Sequence, residues 1–138
     1  MKTKLVLGVF VALLVALLAG WLWGASGKWD LDRALQVSEL RTDLLQARSS
    51  VLVARLDVYS VNFGDASRHL EDARGLLRRA GERLKSLGRP DDVKRLDLAL
   101  VRIDEAQRLA GQLDQEANSR AAEAAQTIDA VLGTGAKR

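Results

Sequence analysis

Leu5 to Trp23 is a run of 19 residues without a charged side chain. As a helix rising about 1.5 Å per residue it would be roughly 29 Å long. The hydrocarbon core of a bilayer is about 30 Å thick. A helix apolar on every side needs either a large protein interior or lipid around it. A chain of 138 residues offers one domain of ordinary size at most. Residues 1–24 are therefore predicted to be an N-terminal single transmembrane helix. Lys2 and Lys4 precede the run, and Trp21, Trp23 and Trp29 gather near its far end. The indole ring, apolar with one N–H donor, suits a membrane–water interface, so these three are the expected interface anchors.

The flanks set an expected orientation. Lys2, Lys4 and the amino terminus lie on one side; Lys28 and Arg33 lie on the other with Asp30 and Asp32, and acids count little in this rule. The N-terminus is placed in the cytoplasm and the rest outside the inner membrane, in the periplasm of a Gram-negative cell. The alternative is a cleavable export signal, cut after Ser26, leaving a soluble exported binding module. Signals of that kind have apolar stretches of about 7–15 residues, shorter than this one. Gly8, Ala12, Ala16, Gly20 and Gly24 recur every fourth residue. They form a stripe of small side chains that lets another helix approach closely inside a membrane. The partners expected from the run are the bilayer and either another membrane protein or a second copy.

Residues 25–29 are predicted to be a linker. Beyond them helical periodicity dominates, and Pro occurs once and aromatics make up only 4%, which argues for an all-α chain. Val37, Leu40, Leu44, Ala47, Val51, Ala54 and Val58 alternate steps of three and four. A second stripe, Leu31, Leu35, Leu45, Leu52, Leu56 and Tyr59, lies beside it. The first helix, 30–60, is thus apolar over a wide face and needs more than one neighbour. Asn62 with Asp65 predicts an N-cap with a variant capping box, with Val61 stapled onto Ala66. A second helix over 65–87 carries Ala66, Leu70, Ala73, Leu77, Ala80, Leu84 and Leu87. Gly88 stops it, and Pro90, Asp91 and Asp92 start the next. A third helix is predicted over 91–132, with weak points at Gly111 and Asn118, and 133–138 is a frayed tail. Short loops make neighbours antiparallel, and the alternating spacing gives coiled-coil-like packing, so the domain over 30–132 is expected to be an antiparallel three-helix bundle.

Ala54, Asn62-Phe63, Ala66, Leu70 and Ala73 resemble the small residue, turn and packing positions of one tetratricopeptide helix pair, over about residues 50–77. The resemblance implies a protein-binding hairpin. The usual Trp and Tyr positions hold Ser50 and Asp57, the terminal Pro is missing, and no second copy of the unit follows.

Charge is unevenly spread. Nine basic residues and five acidic ones lie between Arg68 and Arg95, whereas three basic and seven acidic ones lie between Asp97 and Asp129. The basic block either faces the acidic helix or meets an acidic partner or lipid phosphates. Arg83, Lys85, Arg89, Lys94 and Arg95 surround the Gly88 turn and are the candidate patch. Nucleic acid is not expected, because no aromatics interleave with the cations. Tyr59 and Phe63 flank the first turn and either close the hairpin or anchor a partner.

Catalytic residues are not evident. Without Cys there is no disulfide, thiolate site or Cys nucleophile, and the one imidazole, His69, has no obvious Ser or Cys partner. No metal, cofactor or small-molecule substrate is expected. The sequence predicts a non-enzymatic scaffold, adaptor or accessory subunit of a membrane complex.

Overall fold

The computed structural model describes the backbone of residues 2–135 and the side chains of 13–18, 20 and 31–135. Among the described residues all regular structure is helical: α1 (Lys2–Tyr59), α2 (Phe63–Ser86), α3 (Pro90–Gly111) and α4 (Ala117–Gly135). By internal contacts the chain divides into two units, Met1–Gln36 and Val37–Arg138.

In the first unit the expected 25–29 linker has helical backbone within α1. A glycine in a helix interior costs about 1 kcal/mol relative to alanine, too little to end a helix that has no proline. Leu13, Leu14, Val15, Leu17 and Leu18 are all exposed. The contacts expected at Gly8, Ala12 and Gly24 and the interface anchors Trp21, Trp23 and Trp29 lie outside the described side chains. Ala16 and Gly20 are exposed. Among the described residues no helix is long and apolar enough to cross a membrane. Most of Leu5–Trp23 falls outside the described side chains.

The second unit is a four-helix bundle, built from the part of α1 after Gln36 and from α2, α3 and α4. Cross-helix pairs give the topology. Asp43 meets Arg83 and Asp57 meets His69, joining α1 to α2. Arg74 meets Asp104, joining α2 to α3, and Arg102 meets Glu123, joining α3 to α4. Arg48 meets Asp129, closing α4 onto α1. In each pair of helices rising residue numbers meet falling ones, so the helices run up, down, up and down.

The predicted third helix is two. It breaks at 112–116, where the Leu113 N–H donates to the Ala110 carbonyl at 3.0 Å and the Asp114 N–H to the Leu109 carbonyl at 3.0 Å. Leu113 is left-handed at φ 58. The Asp114 carboxylate accepts from the Glu116 N–H at 2.9 Å and opens the entry to α4. Packing gives the reason. A 42-residue helix would be about 63 Å long, almost twice the length of α2, and its second half would have nothing to cover it. Folding back buries Ala117, Ala121, Ala124, Ile128 and Val131. Ile128 and Val131 alone gain roughly 1.5–3 kcal/mol each, more than a turn costs.

Spacing in threes and fours places the core. In α2 it is Ala66, Leu70, Ala73, Leu77, Ala80 and Leu84, all fully buried, so alanine and leucine alternate along one face. The α1 core is Leu40, Leu44, Ala47, Val51, Ala54 and Val58, and the α3 core includes Leu96, Ala99, Ile103 and Ala106. Small residues facing large ones let the helices interdigitate at interior density. Val37, expected to begin the α1 core, is exposed. Val58, Phe63, Ala66, Leu109, Ala110 and Ala117 form a separate cluster at the end that carries the α1–α2 and α3–α4 turns.

Candidate interaction surfaces

The three turns share one construction. The Val61 N–H donates to Val58 and the Asn62 N–H to Asp57; the Gly88 N–H donates to Lys85 and the Arg89 N–H to Leu84. With Leu113 and Asp114 these are three Schellman closures, each needing a left-handed residue. At one end of the bundle that residue is Gly88, at φ 68. At the other end it is Val61, at φ 62, and Leu113. A left-handed conformation costs an L-residue roughly 1–2 kcal/mol, and a β-branched one sits at the upper end. Both side chains stand in water, Val61 66% and Leu113 70% exposed. The staple of Val61 onto Ala66 is thus not made, because left-handed backbone turns Val61 outward. Phe63 takes that place and is buried. Asn62 caps α2 by accepting from the Asp65 N–H. Of the two aromatics flanking this turn, Phe63 closes the hairpin, whereas Tyr59 is 78% exposed.

The basic turn is largely neutralised from within. Arg83 bonds Glu39 at 2.8 Å and the buried Asp43 at 3.1 Å. Arg89 and Arg95 both bond the buried Asp92, at 2.7 and 3.0 Å, and the Thr134 hydroxyl lies 3.1 Å from the same carboxylate. Lys85 bonds Glu82 at 2.8 Å, and that hydrogen bond, followed by the Glu82 charge, raises the Lys85 pKa above its ordinary value. Lys94 has no ion-pair partner among the described residues. Of these cations Arg83 ties α2 to α1 and Arg89 ties the turn to α3 and to Thr134 of α4, whereas Lys85 and Arg95 pair within their own helices. The acids that hold Arg83, Glu39 and Asp43, sit on α1 rather than on the acidic stretch after Asp97.

That acidic stretch gives Asp104 to Arg74 of α2 and Asp129 to Arg48 of α1, and its glutamates pair with its own arginines. Arg102 bonds Glu105 at 2.8 Å and Glu123 at 2.9 Å, and Arg120 bonds Glu123 and Glu116. The hydrogen bond from Arg102 holds the Glu105 carboxyl below its usual range, and Glu105 in turn raises Arg102. His69 lies 2.8 Å from Asp57 across the α1–α2 hairpin. No group of three His, Cys, Asp or Glu among the described residues could hold a metal ion. A cleft of about 380 Å³ between α2 and α3 is lined by apolar Leu77, Val93, Leu96 and Leu100 and by charged Arg78, Arg79, Glu82, Lys85 and Asp97.

The wide face of α1 divides in two. One stripe is the core. The other, Leu45, Leu56 and Tyr59 with half-buried Leu52, faces out beside α4. No family model, curated protein or solved structure matches this chain. In the stretch that resembles a tetratricopeptide pair, Ala54, Ala66, Leu70 and Ala73 are fully buried, but the hairpin closes into a bundle with α3 and α4 rather than stacking on a like unit.

Proposed function

We propose that this chain is a non-enzymatic, single-pass membrane protein whose four-helix domain serves as a scaffold, adaptor or accessory subunit in a membrane complex. One observation carries the proposal. Leu13, Leu14, Val15, Leu17 and Leu18 point in several directions around α1 and all lie exposed, within a charge-free stretch from Leu5 to Trp23. Leaving such side chains in water costs on the order of 1.5–3 kcal/mol each, and lipid removes that cost. Lys2 and Lys4 favour a cytoplasmic N-terminus and an extracytoplasmic bundle. The stripe from Gly8 to Gly24 supplies the contact with another membrane helix, and the outer face of α1 supplies one outside the bilayer.

Alkaline carbonate extraction of cell membranes tests this. The intact chain is expected to stay with the membrane pellet, and Leu14→Arg with Leu17→Arg to release it into the supernatant. Release of the unsubstituted chain by carbonate would refute the membrane assignment.

A further inference from the structure

Two clefts run together between α2 and α3. One has Leu77, Leu96 and Leu100 in its lining; the other, of about 640 Å³, surrounds the Gly88 turn; Lys85 and Val93 line both. From Leu77 to Gly88 a helix rises about 16 Å, and the joined groove extends over that span. Leu77 and Leu96 are fully buried, and Val93 and Leu100 are half-buried against the core. The apolar floor therefore lies below the charged side chains that rim it. Gly81 stands on the α2 wall. Glycine inside a helix is less stable than alanine, and neither a left-handed φ nor a close neighbour requires it at this position. A Cβ at 81 would meet nothing within 4 Å, so glycine keeps that wall of the groove open.

The charges on the rim select an anion. The cations are Arg78, Arg79, Lys85, Arg89 and Lys94, against Glu82 and Asp97. Around the turn the charged lining is cationic only: Lys85, Arg89 and Lys94. Arg89 is engaged by Asp92, and Lys85 pairs with Glu82 in water. Arg78 and Lys94 have no ion-pair partner among the described residues. Cations at one end of a recessed apolar groove match an anionic head group with an aliphatic chain behind it. A partner helix, about 10 Å across, would rest on the charged rim, whereas a single acyl chain is thin enough to reach the floor. The turn lies at the end of the bundle where α1 enters it, since Arg83 just before the turn pairs with Glu39 and Asp43.

We infer that the groove between α2 and α3 binds one anionic phospholipid, with its phosphate at Lys85 and Lys94 and one acyl chain along Val93 and Leu100. This deepens the proposed function by naming a ligand of the bundle. It rests on that reading only for the bilayer as the source of the lipid.

The full-length chain in mild detergent is irradiated with a phosphatidylglycerol that carries a diazirine in one acyl chain, and labelled peptides are mapped by mass spectrometry. Labels are expected between residues 77 and 100, distinct from any on the Leu5–Trp23 run. Unlabelled phosphatidylglycerol is expected to compete about tenfold better than phosphatidylcholine. Gly81→Leu, which fills the groove, and the double variant Lys85→Gln/Lys94→Gln are each expected to cut groove labelling about tenfold, with helicity by circular dichroism retained. Gly75→Leu, at an equally open glycine of α2 outside the groove, is expected to leave labelling unchanged. Labels on the Leu5–Trp23 run alone would overturn the inference. So would equal competition by phosphatidylcholine, labelling unmoved by Gly81→Leu or by the double glutamine variant, or an equal loss in Gly75→Leu. Glycerol phosphate competing as well as the whole lipid would reveal an anion site without a chain site, and would overturn it too. A chain released by carbonate yet labelled in the groove with these dependences would refute the membrane assignment and leave this site standing.

Discussion

Replacing Val61 with glycine should stabilise the protein, although it removes an apolar side chain. Val61 holds φ 62 at the closure of α1. For a β-branched residue that conformation costs about 2 kcal/mol, the top of the usual range. Glycine removes the strain but gives back roughly 0.7 kcal/mol through the greater freedom of the unfolded chain. The side chain is 66% exposed, so the burial lost is only about 0.5 kcal/mol. The balance is a gain of about 0.5–1 kcal/mol. For Leu113, less strained and equally exposed, the same terms leave a gain of a few tenths. Gly88→Ala is the converse control at the other end of the bundle and should lose about 1 kcal/mol. Urea unfolding followed at 222 nm reads these as shifts of midpoint at constant slope. A fall of more than 0.5 kcal/mol in Val61→Gly would refute the reasoning, because Val61 would then be making contacts worth more than its strain.

Other outcomes follow from the core and its ion pairs. Leu77→Ala should cost 2–5 kcal/mol through the cavity it leaves, and Ala73→Leu about 1–3 kcal/mol by overpacking; chemical denaturation distinguishes an alternating small–large core from a loose one that absorbs the leucine. Asp92→Ala strands the largely covered Arg89, whereas Arg95 turns to water, and should cost about 2–3 kcal/mol; Thr134→Val should cost about 1 kcal/mol; both are read as denaturation midpoints. The lowered Glu105 pKa means its contribution is present above the unfolded value near 4.5 and is lost as pH falls through the lower folded value. Glu105→Gln should therefore weaken the protein at pH 7 and leave it unchanged in strong acid, as measured by unfolding at both pH values.

The helical class and the core were legible because alternating threes and fours state a face directly. Leu70, Leu77 and Leu84, or Leu96 and Ile103, cannot satisfy any other period. The break between α3 and α4 was hidden by the same regularity. Ala110, Leu113 and Ala117 continue the pattern without a slip, so periodicity places Leu113 in a core from which the turn removes it. Length was the available signal: a helix over 91–132 has no neighbour long enough to cover it, and Gly111 beside Asp114 marks where it can fold back. The left-handed Val61 was illegible, since glycine is the usual mark of that conformation and only Gly88 carries it. The partners of the basic turn were illegible for a different reason. Charge along a sequence does not reveal cross-helix partners, and Glu39 and Asp43 lie some forty residues from the arginine they hold. The width of the apolar face on α1 was legible, and its division into a filled seam and an open one needed the bundle.

The most direct measurement is the intact mass of the chain recovered from carbonate-washed membranes. A retained membrane anchor gives a species of about 15.1 kDa that keeps the Leu5–Trp23 segment. Recovery of only a shorter chain beginning after Ser26, found outside the membrane, would contradict it.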